Sequence, residues 1–184
     1  MLISPNKLTI DLGAIVHNLG EVRGCIGPGI SIMGIVKSDA YGHGLAEVAR
    51  AFFAAGARCM AAGTVEESVV LKEVTPAAEV ISLLGPLDQA DYTAVCTHGL
   101  IPFVGRVEQL VRLEEEGRRT GAPVRVALKF DTGMSRLGFA AEEANGVADV
   151  LDGLEHVRAV MACSHLATAD DPEQAEYVSE QGQR

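Results

Sequence analysis

An apolar run at residues 31–36 ends in Lys37 and breaks into SDAYGHG, a polar loop placed directly after a segment suited to a buried strand. A lysine there either reaches solvent along its four-carbon stem or keeps its amine against an apolar wall. Desolvation disfavours the ammonium, and the neutral amine that results is the nucleophile needed to form an imine with an aldehyde. Tyr41 supplies a phenolic donor a short way on, and Gly42 and Gly44 let the backbone turn tightly around it. His43, between those two glycines, reads as a residue at a helix start rather than as a ligand.

A second set lies downstream. Lys129 stands near the end of VRVALKF, Arg136 in DTGMSRLGF and His165 in SHLATADD. Taken singly, each has a structural use: Arg136 as a surface ion-pair residue, Lys129 as an ordinary strand-edge lysine, His165 as a satisfied core histidine. Asp39 and Asp131 suit bonding to nearby backbone amides better than acid chemistry. His17, Cys96 and His98 sit in no chemical pattern.

These residues need elements to position them. Short apolar runs suited to buried parallel strands occur at 31–36, 59–63, 79–84, 100–104, 124–130 and 157–163. Each is followed by a segment with helical spacing. Over 43–56, Leu45, Val48, Ala49, Phe52 and Phe53 form one apolar face, stopped by Gly56. Thr64 and Glu67 make a capping box at the next helix start. Further helices are predicted over 88–97, 106–119 and 141–152, with another beginning near 172. LTIDLGAIVHNLGEVR is read as a short strand and a helix over 11–24.

Strand–helix alternation implies parallel strands with helices outside, because each crossover must travel the length of the strand before returning. Small and polar residues gather at the C-terminal ends of the strands, where chemistry sits in both doubly wound sheets and closed barrels. No G-x-G-x-x-G opens the first unit, which disfavours a dinucleotide fold. The chain has 184 residues and six barrel-type strands. A complete eight-fold barrel takes about 250 residues, so the expectation is a barrel cut short, with open edges inviting pairing.

Composition excludes other classes. Fifteen basic residues against 25 acidic ones give a formal charge of −10, which argues against a nucleic-acid partner. Four cysteines without a C-x-x-C pair make neither a disulfide framework nor a zinc site, and no metal site is expected. No apolar run approaches the ~18 residues of a membrane span, and the N-terminus lacks the apolar core of a signal peptide. The expectation is a soluble cytoplasmic protein.

VKSDAYGHG resembles the cofactor-lysine signature of the alanine racemase family, whose members bind pyridoxal 5′-phosphate at the mouth of a β/α barrel. TIDLGAIVHNL, VEESVVLKE, LKFDTGMSRLGF and SHLATADDP resemble further family segments in the same order, so the similarity covers essentially the whole chain. The resemblance implies an N-terminal part of a TIM-barrel-like α/β domain over residues 1–184, with about six of eight strands. It implies an isomerase that interconverts L- and D-alanine for peptidoglycan, working as a homodimer on a small amino acid. The alternatives are a racemase for serine or another amino acid, and a cofactor-binding regulatory barrel.

Position by position, Lys37 would bind the cofactor covalently and act as the base on one face of the substrate's Cα. Tyr41 would hydrogen-bond the cofactor phosphate. Arg136 would contact the cofactor's phenolic oxygen and the substrate carboxylate, making it catalytic as well as binding. Lys129 matches a lysine that many members carbamylate, His165 would lie beside the cofactor ring, and Ala169 and Asp170 would line the entrance. The opposite-face tyrosine, an arginine at the pyridine nitrogen and a phosphate-binding serine would all fall beyond Arg184. The fragment alone is therefore expected to be inactive.

Overall fold

A computed structural model describes residues 7–184. Helix α1 (Leu12–Ile26) is capped by Asp11, whose carboxylate accepts from the Ala14 amide. Six parallel strands follow in chain order: β1 (Met33–Ile35), β2 (Cys59–Ala62), β3 (Glu79–Ser82), β4 (Ile101–Val104), β5 (Val124–Asp131) and, after the two-residue β6 (Phe139–Ala140), β7 (Val157–Cys163). Each of the six pairs with its successor, β5 pairing directly with β7, while β6 hydrogen-bonds to the end of β5. A doubly wound sheet would reverse this order partway. Uninterrupted neighbour-to-neighbour pairing is the arc of a barrel.

The joining helices are α3 (Leu45–Ala54), α4 (Val65–Val74), α5 (Gln89–His98), α6 (Val107–Thr120), α7 (Ala144–Asp152) and α8 (Ala175–Gln183). Strand alternation sorts the core into two layers. Met60, Val80, Val104, Val126 and Leu128 point outward and pack with Val48, Leu71, Val95, Leu110 and Leu113 of the helices. Ala61, Ile81, Ile101 and Ala127 point inward, flanked by Met33, Leu83, Phe103 and Met161. Burying one such leucine or isoleucine contributes about 1.5–3 kcal/mol.

Two expectations change. The part of LTIDL from Leu8 onward forms no strand: residues 7–11 are coil and Leu8 is exposed. A strand exists only through a ladder partner, and none lies beside this segment among the described residues; Met1–Asn6 fall outside them. The lysine after β1 does not end an extended strand either. Residues Lys37–Gly42 form a single helical turn, α2, in which Ser38, Asp39, Ala40 and Tyr41 all have φ between 52° and 56°.

Candidate active site

The turn α2 is left-handed, a conformation that costs roughly 1–2 kcal/mol for each L-residue other than glycine. Four such residues in succession persist only because surrounding bonds over-determine them. The Ala40 amide donates to the Val36 carbonyl (2.9 Å), and the Gly44 amide to the Asp39 carbonyl (3.0 Å). The Asp39 carboxylate accepts from the Leu45 amide at 2.7 Å, capping α3, and so bonds backbone as its type predicts. His43 lies at the end of the turn, its Nδ1 2.9 Å from the Ala40 carbonyl. The turn leaves Lys37 half-buried at the mouth of the arc, with its Nζ 5.8 Å from the centre of the Tyr41 ring.

A cavity of about 680 Å³ opens there. Lys37, Tyr41, Lys129, Met134, Arg136 and His165 all contribute to its walls. The structure thus brings Lys37, Tyr41, Lys129, Arg136 and His165 together. Ala169 and Asp170 are the exception: both are exposed and lie outside the lining. A second hollow of about 690 Å³ shares Lys129 and Arg136 and extends toward Arg106 and Gln109.

Arg136 is aimed by a loop built on Asp131. That carboxylate accepts from the amides of Gly133 (2.9 Å) and Ser135 (3.0 Å), and these bonds hold it below the usual range for an aspartate. Gly138 then brings the chain back against β5. A Cβ at Gly138, whose φ is 127°, would stand 2.8 Å from the Lys129 carbonyl oxygen and the Asp131 nitrogen, so only glycine fits.

Lys129 donates to the Phe130 carbonyl at 3.0 Å and pairs across the ladder with Cys163. Burial pushes its ammonium below the ordinary lysine value, which raises the share of neutral, nucleophilic amine. Burial likewise pushes the Cys163 thiol up, which favours its protonated form.

Sequence reasoning missed the residues that hold these loops. Tyr177 of α8 donates to the Gly133 carbonyl at 2.6 Å, and Arg184 donates to Thr132 at 3.2 Å. Gln181, almost wholly buried, accepts from the Ala167 amide (2.9 Å) and donates to the His165 carbonyl (3.1 Å). Thr132 and Ser164 join the two loops hydroxyl to hydroxyl at 2.7 Å. The one available signal was α8's failure to show a wide apolar face, since a helix anchored by polar contacts has no need of one.

Although the chain carries a formal −10, the cavity wall presents three cations, Lys37, Lys129 and Arg136. Among the described residues none of the three takes part in an ion pair. The nearby Asp131 and Glu67 are given over to backbone amides. A partly apolar pocket with two amines and a surplus of positive charge suits a small anionic molecule bearing a carbonyl group.

Residues 10–184 match the family model described as alanine racemase, N-terminal domain. The alanine racemase of Nitratidesulfovibrio vulgaris strain DP4 is 44% identical over 99% of this chain and 48% of its own length. The alanine racemase of Clostridium difficile 630, solved in complex with cycloserine, superposes with a TM-score of 0.87 at 26% identity, covering 95% of this chain and 48% of that one. A histidine racemase from Leuconostoc mesenteroides shares the fold, with a TM-score of 0.84 at 24% identity. The chain spans about half the length of the relatives it matches. With its six-stranded parallel arc, its lysine-bearing turn at the mouth and this agreement along nearly all of its sequence, the chain belongs to the alanine racemase family, as that family's N-terminal domain.

Proposed function

We propose that this chain forms the cofactor-bearing barrel part of a pyridoxal-phosphate-dependent alanine racemase that supplies D-alanine for peptidoglycan. The observation that carries the reading is the convergence of Lys37, Lys129, Arg136 and Tyr41 on one cavity. That donor set fits the cofactor: an amine for its aldehyde, a phenol for its phosphate and a guanidinium for its phenolic oxygen. When bound, pyridoxal 5′-phosphate supplies a conjugated ring that spreads the charge left when the substrate's Cα loses its proton.

The chain's own residues then orient, neutralise and move a proton. Lys37 would hold the cofactor through its amine, and the same amine would take or return the proton on one face of the Cα. Arg136 holds the substrate carboxylate by charge-assisted hydrogen bonds. Lys129, its ammonium disfavoured by burial, is the site at which carbamylation would replace a cation with an anion and steady Arg136. His165, which lines the same cavity, would lie beside the ring.

Inverting the centre needs a second group on the other face. By family resemblance that group is a tyrosine from a partner subunit, so the active species is a dimer of a longer protein. Alanine is the substrate proposed, on the names of the relatives; the likeness to a histidine racemase speaks for the fold alone.

The test uses full-length protein, incubated with pyridoxal phosphate, reduced with borohydride and digested for peptide mapping. The label is expected on Lys37, and L-alanine is expected to lose optical rotation faster than L-serine. A label elsewhere, or no racemisation of either amino acid by the intact dimer, rejects the reading.

A further inference from the structure

Glu67 was expected only to cap α4, and it does so: Thr64 Oγ1 accepts from the Glu67 amide at 3.1 Å, and Glu67 Oε2 accepts from the amides of Gly63 (2.8 Å) and Thr64 (3.4 Å). Its other oxygen does something a cap does not require. Oε1 accepts from the amide of Ser38 at 2.8 Å, across 29 positions of sequence, at the point where the chain enters the left-handed turn behind Lys37. One carboxylate therefore ties the end of β2 to the residue that follows the lysine. Gly63 makes the close approach possible: a Cβ there would stand 2.9 Å from Glu67 Oε2 and 3.5 Å from the Lys37 Cβ.

We propose that Glu67 is a positioning residue for Lys37, a clamp that holds the Ser38 amide and so fixes the direction in which the lysine stem leaves the backbone. The rest of the turn is secured by the Ala40 amide on the Val36 carbonyl and, on its far side, by Asp39 on Leu45 and by the Asp39 and Ala40 carbonyls on Gly44 and His43. At the entering side the Ser38 amide goes to Glu67. Without it the Ser38 amide loses its protein partner, the strained turn relaxes, and the amine swings through a wider cone. An amine serving as a proton donor and acceptor at one carbon tolerates little such freedom. The proposal rests on the assignment of Lys37 as the cofactor lysine.

Glutamine and aspartate separate the two roles of Glu67. Glutamine has one acceptor oxygen, and with the Gly63 and Thr64 amides drawing on it the Ser38 amide faces the side-chain NH2, a donor, and loses its partner. Aspartate can still serve the helix start but is one methylene too short for Ser38. Thr75→Ala is the control for stability alone: it removes the Thr75 hydroxyl's bond to the Leu71 carbonyl (2.9 Å) at the opposite end of α4.

The first measurement is hydrogen–deuterium exchange of the cofactor-free, full-length protein, which is independent of any activity. In Glu67→Gln and Glu67→Asp, exchange over residues 38–41 is expected to rise ~10-fold or more, with Thr75→Ala unchanged there. The second is the rate of borohydride-trapped labelling at Lys37 by pyridoxal phosphate, expected to fall ~10-fold in both Glu67 variants. In turnover, kcat is expected to fall by a similar ~10-fold while KM stays within about 2-fold.

Unchanged exchange over 38–41, or labelling and kcat no different from Thr75→Ala, would overturn the clamp. Wild-type protein labelled somewhere other than Lys37 would overturn the lysine assignment on which it rests, a failure visible before any variant is compared.

Discussion

The two ends of the barrel arc treat charge in opposite ways. At the N-terminal end of β7, Glu114 of α6 is almost wholly buried and fully used: it accepts from the His156 amide (2.7 Å), meets the His156 ring nitrogen (2.9 Å) and pairs with Arg118. Nearby, Glu116 binds Arg119, Thr93 and Gln89. At the C-terminal mouth, Lys37, Lys129 and Arg136 face open space. A satisfied network stabilises one arrangement of the helices. Cations without an ion-pair partner are a standing cost to folding, retained where a ligand completes them. The closed end serves stability, and the open end is the one proposed for binding and chemistry.

The sharpest break between the two ends is Lys37→Ala. In the full-length protein it should cut turnover by ~10³-fold or more and abolish borohydride labelling, because the proposed nucleophile and base vanish together. Its melting temperature should hardly move, which calorimetry would check. Glu114→Ala should do the reverse. Leaving the His156 amide and ring without a partner in a buried site should cost about 3 kcal/mol, read from urea unfolding, with labelling of Lys37 intact.

Acid sharpens that second result. Burial alone would raise the Glu114 carboxyl, but hydrogen bonds from the His156 ring and amide and from the Glu155 amide outweigh it and hold the group at about 2 against an ordinary 4.5. A depressed carboxylate contributes stability that is complete above its unfolded value and lost as pH falls through its folded one. The urea midpoint should therefore stay level on this account down to about pH 4.5 and decline toward pH 2, and Glu114→Gln should flatten the decline.

Smaller effects are expected back at the mouth. Arg136→Ala should lower kcat/KM by about 10²-fold, a loss of charge-assisted holding that steady-state kinetics would read. Gln181→Ala removes two hydrogen bonds from the His165 loop and should cost about 1–2 kcal/mol with a KM rise of only a few-fold. A Gln181 variant as damaging to kcat as Arg136→Ala would blur the division between support and chemistry.

The capping box at Thr64 and Glu67 was legible because both partners lie within one helical turn, and it is present. Glu67's bond to Ser38 was not, since nothing in a linear pattern couples residues so far apart. The left-handed turn escaped for a related reason: SDAY holds no glycine, so its conformation is imposed by its surroundings against local preference. The LTIDL strand failed because alternation shows what a strand would bury and never whether a neighbour exists to complete it.

What the residues alone determined is periodic: six apolar runs, the helices between them and the polar punctuation that puts Lys37, Lys129, Arg136 and His165 at strand ends, from which family resemblance supplied their roles. Only the tertiary structure decided that these groups share one cavity, that α8 steadies two of its loops and that Glu67 reaches the turn behind the lysine. The physical reason is range: backbone propensity and burial act over a few residues, whereas a binding site is made of contacts whose partners meet only after the sheet has formed.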